Sequence, residues 1–350
     1  MLREDSYVII DLGSYITRCG VGITDPNKLP SHLIPTEIAQ VIRSNPASPK
    51  STTEQGAAVE YICGEAVGQY TEAKNVLVPF LDDRVGDWEA LSVFWDYILT
   101  QRFQLNIASM ECPVFLAIPT HWSRNELEKC TQIFFERFNV PGLYIAEQPL
   151  LAAYSCGVLN GLVINIGHNF TDVTPVIDSA VHPTAGQRIP LGGVDVDKHL
   201  LCQLKAEPKV CEILGDRLDM VFCRFVKEHY FDLAKLRKDG EDDDQVSENP
   251  ADNLVEVDYH GIKVALPDHI LKSVEVLFTP SLVQKSCLDL VGAIEKTVLS
   301  CDTDKRTVLW DNIILTGGVS MMKGLQGLLE RRMQSILACS DNFADSQVRE

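Results

Sequence analysis

Residues 7–23, YVIIDLGSYITRCGVGI, alternate apolar and polar positions on both sides of Gly13. That period predicts a β-hairpin whose turn needs a permissive backbone. Residues 161–177, GLVINIGHNFTDVTPVI, carry a similar pattern around Gly167. A shift of 154 (167 − 13) places Asp11 on Asn165, Leu12 on Ile166, Gly13 on Gly167, Ile16 on Phe170 and Thr17 on Thr171. A single repeat at this distance suggests two similar domains, each opening with the same hairpin, rather than a solenoid. Two facing glycine hairpins clamp a phosphate chain with backbone N–H groups. The other reading is that any two strand–turn–strand units look alike.

The remaining pattern supplies helices and further strands. Ser123-Arg-Asn-Glu126 is a capping box, followed at helical spacing by Leu127, Cys130, Ile133, Phe134 and Phe138, an aromatic stripe that predicts core. GLYIA (142–146) reads as a strand, and PLLAAYSCG as a helix closing at Gly157. Residues 218–238 read as helical, and 239–253, with five acids in the first six positions, as a solvated loop. VEVDYHGIKVALP alternates across Gly261 as a hairpin, NIILTGG ends a buried strand in a double glycine at 317–318, and 323–338 is amphipathic. The closing ACSDNFADSQVRE is polar and offers no packing signal.

Length and composition narrow the class. A chain of 350 residues predicts about two domains, and 45% hydrophobic with 23% charged residues is the make-up of an ordinary globular protein. The net charge of −18 repels phosphate backbones and anionic lipid, which argues against direct nucleic-acid or membrane binding. Eleven scattered cysteines contain no C-x-x-C pair, and no signal peptide opens the chain; both point to the cytosol or nucleus. His168 and Asp172 are too few to hold a metal and read as polar turn groups.

In this order the pieces resemble actin and the actin-related proteins nearly end to end. The resemblance rests on DLGSYITRCG, IPTEI, AIPTHWSRNELEKCTQIFFERFNVPGLYIAEQPLLAAYSCG, VINIGHNFTDVTPVID, VKEHY, LFTPSL and DNIILTGGVSMMKGL. Within the superfamily, Thr120-His-Trp-Ser123, FTDVTPVID and Ile189-Pro-Leu-Gly-Gly193 are most similar to the actin-related protein nine group of fungal SWI/SNF- and RSC-type remodellers. The resemblance implies an α/β, actin-like ATPase (ribonuclease H-like) fold with two similar domains around a central cleft. They are expected at 1–156, with an outer lobe inserted at about 33–80, and at 157–350, with one at about 193–274. The family's C-terminal return segment, with its K-Y-x-x-W-x-G-G-like motif, is missing. Either the chain is truncated or its first domain needs a partner to cover it.

In the family the two hairpins embrace ATP and its divalent cation, with carboxylates holding the metal's water shell. Here Asp11 is kept, but Asn165 and His168 replace the second hairpin's two acids, and Tyr15 and Asn169 replace turn glycines. Gly13, Ser14, Arg18 (in place of a lysine), Gly167, Gly317 and Gly318 remain as a remnant nucleotide site. Gln148, where the family positions the attacking water, and Lys227 and Glu228 near the adenosine also survive. Arg18 either grips a phosphate or fills the site by pairing with Asp11. The implied protein has no catalytic residues, no metal ligands and no required cofactor, with ATP binding without turnover as the alternative. Its implied partners are a second actin-related protein and a helix of a remodeller ATPase, seated in a groove near Tyr154, Cys156 and Gly157, in the nucleus. The competing expectation is a nucleotide-binding cytoskeletal subunit of the kind that ends a dynactin-type filament.

Overall fold

The computed structural model describes residues 7–22, 29–43, 58–69, 75–77, 79–81, 84–233, 254–337 and 348–349. The chain divides into two compact units, Met1–Leu151 and Ala152–Glu350.

In the first unit, β1 (Val8–Asp11) and β2 (Ile16–Val21) form the hairpin around Gly13, with Asp11 paired to Arg18. Next come β3 (His32–Pro35), β4 (Ile38–Arg43), β5 (Ala58–Cys63), β6 (Asn75–Leu77) and the short pair β7 (Phe80–Leu81) and β8 (Arg84–Val85). Helix α1 (Trp88–Tyr97), β9 (Val114–Ile118), α2 (Arg124–Gln132), β10 (Leu143–Glu147) and α3 (Gln148–Ser155) follow, and the division between the units falls inside α3. The main sheet runs β10-β9-β1-β2-β3, while β5-β4-β6 form a separate sheet. Alternation along β1 sends Val8 and Ile10 into a core with Leu116, Phe94, Trp95, Phe134 and Phe138. The capping box is formed: Ser123 Oγ accepts from the Glu126 N–H, and Glu126 Oε2 accepts from the Ser123 N–H. The helical run then widens into a π-turn, Ile133–Arg137, which keeps Phe134 and Phe138 both inside.

The second unit holds β11 (Gly161–Ile166), β12 (Thr171–Ile177), β13 (Ala180–Val181), β14 (Gln187–Ile189), α4 (Gly193–Lys205), α5 (Pro208–Leu214) and α6 (Met220–Tyr230). Further along come the hairpin β15 (Leu254–Tyr259) and β16 (Ile262–Pro267), α7 (Leu290–Leu299), α8 (Thr303–Asp311), β17 (Ile313–Thr316), α9 (Leu325–Leu337) and β18 (Val348–Arg349). The sheet order is β13-β12-β11-β17-β18, with β14 beside β12.

The repeat holds at the level of hydrogen-bond register. Val8 pairs with Val21 and Asp11 with Arg18; Leu162 pairs with Pro175 and Asn165 with Asp172, each position 154 further on. A third strand joins each hairpin antiparallel, pairing Thr17 with Ile34 and Thr171 with Ile189. A late parallel strand flanks each first strand, pairing Asp11 with Ala117 and Asn165 with Thr316. Resemblance between any two hairpins does not extend to four strands.

Two expectations need correction. The helix expected over 218–238 stops at Tyr230, where Phe231 turns extended and the Leu233 N–H donates to the Lys323 carbonyl at 2.8 Å. Asp232 also pairs with Lys323 at 2.8 Å, so a distant segment ends the helix against its local propensity. The acidic stretch 239–253 lies outside the described residues. At the other end, Val348–Arg349 pairs in parallel with β17 although the sequence there gives no packing signal. A two-residue ladder needs only backbone groups.

Candidate functional site

In the first unit the hairpin turn is tied down from the segment after β3. Thr36 Oγ1 donates to the Gly13 carbonyl at 2.8 Å, the Thr36 N–H donates to the Tyr15 carbonyl at 2.8 Å, and the buried hydroxyls of Thr17 and Thr36 are 2.9 Å apart. Gly13 is required because a Cβ there would lie 2.2 Å from the Ile16 carbonyl oxygen. Ser14 and Tyr15, half-buried, complete the turn.

At the end of β1, Asp11 has both oxygens engaged. Gln148 Nε2 donates to Oδ1 at 2.7 Å and to the Leu12 carbonyl at 2.8 Å, and Arg18 lies 3.6 Å from Oδ2. Arg18 thus lies within ion-pair distance of Asp11, the contact that one of its two expected roles requires. Burial pushes the Asp11 carboxyl up, and Arg18 and Gln148 pull against that shift without cancelling it. A hard divalent cation prefers anionic oxygens, and here Arg18 and Gln148 already face both oxygens of this carboxylate.

In the second unit Asn165 and His168 stand where the first hairpin has Asp11 and Ser14. The acid has moved to the second strand: Asp172 pairs with Arg188 at 3.5 Å, both largely buried, and Arg188 also covers the Phe170 ring at 4.5 Å. Asp172 is thus charge-paired within the sheet. Burial, followed by the charges of Arg224, Lys227 and Lys198, lowers the His168 pKa to about 4, so the ring is neutral at physiological pH.

The turn is also closed against α4. The N–H groups of Gly193 and Val194 donate to the carbonyls of Gly167 and His168, each at 2.9 Å, and the Gly192 N–H donates to Asp195 Oδ2 at 3.1 Å. Donors that an unpaired helix start would offer to a phosphate are therefore spent inside the protein. Gly317, at φ +96°, backs onto the end of β11, where a Cβ would lie 2.4 Å from the Ile166 carbonyl oxygen and 2.6 Å from Asn165 Oδ1. Gly318 is exposed and faces open space.

Lys227, expected beside an adenosine, is held between α4 and α6. Its Nζ is 2.7 Å from Asp197 Oδ1 and 3.0 Å from the Gly193 carbonyl, while Glu228 is exposed. Asp197 did not figure among the sequence candidates. Its signal was its place on the apolar face of α4 with Val196, Leu200 and Leu204. Among the described residues no group of three or more His, Cys, Asp or Glu side chains lies close enough to hold a metal ion.

Within each unit, then, the structure gathers some of the remnant positions: Gly13, Ser14 and Arg18 around Asp11, and Gly167 and Gly317 around Asn165. The three positions considered for a partner lie together where α3 ends. Tyr154 is 48% exposed, Cys156 is half-buried beside Ser155, and exposed Gly157 stops the helix at φ +71°.

The strand arrangement and the two glycine hairpins define an actin-like ATPase fold. A model of the actin family matches residues 2–213, more than half of the chain, and the chain belongs to the actin family. Among individual relatives, it is 35% identical over 193 residues to the SWI/SNF and RSC complexes subunit arp9 of Schizosaccharomyces pombe, covering 54% of this chain and 37% of that protein. It is 28% identical over 338 residues to Actin-like protein 9 of Mus musculus, covering 96% of this chain and 76% of that protein. The match thus spans less than half the length of the yeast relative.

Proposed function

We propose that the chain is a non-catalytic, actin-related scaffold subunit of a SWI/SNF- or RSC-type chromatin-remodelling complex in the nucleus. In this reading it pairs with another actin-related protein on a helix of the remodeller ATPase, with Tyr154, Cys156 and Gly157 at the helix-binding surface. The kinship to a protein named as a subunit of such complexes supports the assembly.

One observation carries the non-catalytic part: the charged groups around the two hairpins are paired within the chain. Asp11 is engaged by Arg18 and Gln148, Asp172 by Arg188, and Lys227 by Asp197. Phosphoryl transfer rests on metal clamping and on positioning of the attacking water. Here the carboxylates are neutralised and the Gln148 amide is committed to Asp11 and Leu12.

Affinity purification of the tagged full chain, with identification of co-eluting proteins, tests the assembly. A remodeller ATPase and a second actin-related protein are expected, and their absence sinks the assignment. Denaturing the purified protein and chromatographing the supernatant tests the site. The scaffold reading expects no stoichiometric nucleotide, whereas one equivalent of ATP or ADP returns the chain to the nucleotide-binding class.

A further inference from the structure

Helices α4 and α6 bury opposite charges among mostly apolar residues, α4 also burying Asp195, which pairs with Lys285. Asp197 is 0% exposed beside Val196, Leu200 and Leu204; Lys227 is 7% exposed beside Cys223 and Val226. Lys227 Nζ is 2.7 Å from Asp197 Oδ1, and Arg224 Nε is 3.7 Å from Oδ2. Close approach of the lysine depends on Gly193, where a Cβ would stand 3.1 Å from Nζ and 2.9 Å from a Val319 methyl.

The sign of charge here is the reverse of the chain's. On a protein of net charge −18, Arg224, Lys227 and the exposed Lys198 all bear on the ring of His168, next to the turn of the second hairpin. Two cations beside a tight turn are the elements of a site for a phosphoryl group. Asp197 stands between them as a carboxylate supplied by the protein itself. A tethered anion outcompetes a free one because its effective concentration is fixed by the fold.

We propose that Asp197 is a built-in counter-anion that occupies the Arg224–Lys227 pair and so excludes an external diphosphate from the second unit. The inference rests on the nucleotide-independent reading above and assigns one of its causes to a single residue. Arg224, with 20% of its side chain exposed, and Lys198 in solvent mark the side from which a released site is approached.

Isothermal titration of the full chain with inorganic pyrophosphate and, separately, with ADP tests the proposal on the wild type, Asp197→Asn and Asp197→Asn/Lys227→Met. Asn keeps the shape of Asp and removes its charge. The expected result is pyrophosphate binding at least about tenfold tighter in Asp197→Asn than in the wild type, with the gain lost in the double variant. The ADP arm shows whether the released site takes the nucleotide or only the inorganic anion, and a gain in either arm supports the proposal. A folded Asp197→Asn protein that binds both ligands within about twofold of a weak wild type overturns the proposal alone. Tight ADP binding by the wild type overturns the functional reading and the proposal together. Should Asp197→Asn fail to fold unaided, refolding with and without pyrophosphate decides: recovery with the anion supports the proposal, and equal failure in both overturns it.

Discussion

Acidification from about pH 7 to about pH 5 charges His168 in the unfolded chain, where a histidine titrates near 6.5, but leaves it neutral in the folded unit, where its pKa is about 4. Burial is the larger cause, followed by the positive charges of Arg224, Lys227 and Lys198. The neighbouring acid, Asp197, is drawn to Lys227 and Arg224. The folded pKa is depressed, so the unfolded state binds the proton first. The stabilisation is complete above about pH 6.5 and is lost as the pH falls toward 4. Comparing proton binding by the two states gives a loss of about 2 kcal/mol at about pH 5 and a limit of about 3 kcal/mol in stronger acid. His168→Gln removes this titration, while Asp11 and Asp197 contribute in both proteins. Hydrogen exchange measured by mass spectrometry on peptides covering β11 and β12, corrected for intrinsic exchange, reads the stability of the unit. Across this window the wild type is expected to lose about 2 kcal/mol more than His168→Gln. Coincident slopes refute the placement of the ring in a buried, cationic setting.

Gly317→Ala combines a left-handed φ with a backbone clash and is expected to cost about 2–3 kcal/mol in thermal unfolding, against less than about 0.5 for Gly318→Ala. Similar costs at the two glycines would contradict the packing of Gly317 onto β11. Thr36→Val leaves the Gly13 carbonyl and the Thr17 hydroxyl short of a partner, and a loss of about 1–3 kcal/mol in the same melts is expected; a neutral result would mean that the turn is not held from Thr36. Asn165→Asp/His168→Asp restores two acids but leaves Asp11 paired with Arg18 and Lys227 paired with Asp197. A phosphate-release assay with Mg²⁺ is expected to show no turnover, and metal-dependent hydrolysis by this variant would refute the account of the silenced site.

Both hairpins were legible because alternation and a turn glycine are local signals, and the register bears out the offset read from Asp11 and Asn165. The capping box at Ser123 was legible for the same reason. The end of α6 was not, because what stops the helix is Lys323, remote in sequence. Of the site, the missing acids at 165 and 168 could be read directly, whereas their compensation could not. Arg188 reaches Asp172 across a strand pair, and Lys227 reaches Asp197 from another helix, so each pairing exists only once the fold does. Asp197 on the buried side of α4, which also holds Asp195, and Lys227 on that of α6 were faint tokens of one buried pair.

The place of β17 beside β11 has a consequence for the chain as it is made. Ile313 follows Ile166 by 147 positions (313 − 166), which a ribosome adding about 5–20 residues per second needs about 7–30 s to complete. Through that interval the β11–β12 hairpin has a partner on one edge of β11 only, with apolar residues on both faces of the strand. Nascent chains halted after Leu299 present GLVINI with its β17-facing edge unpaired. The strand that carries Asn165 into the turn is thus a point where chaperone capture competes with aggregation before the second unit is whole.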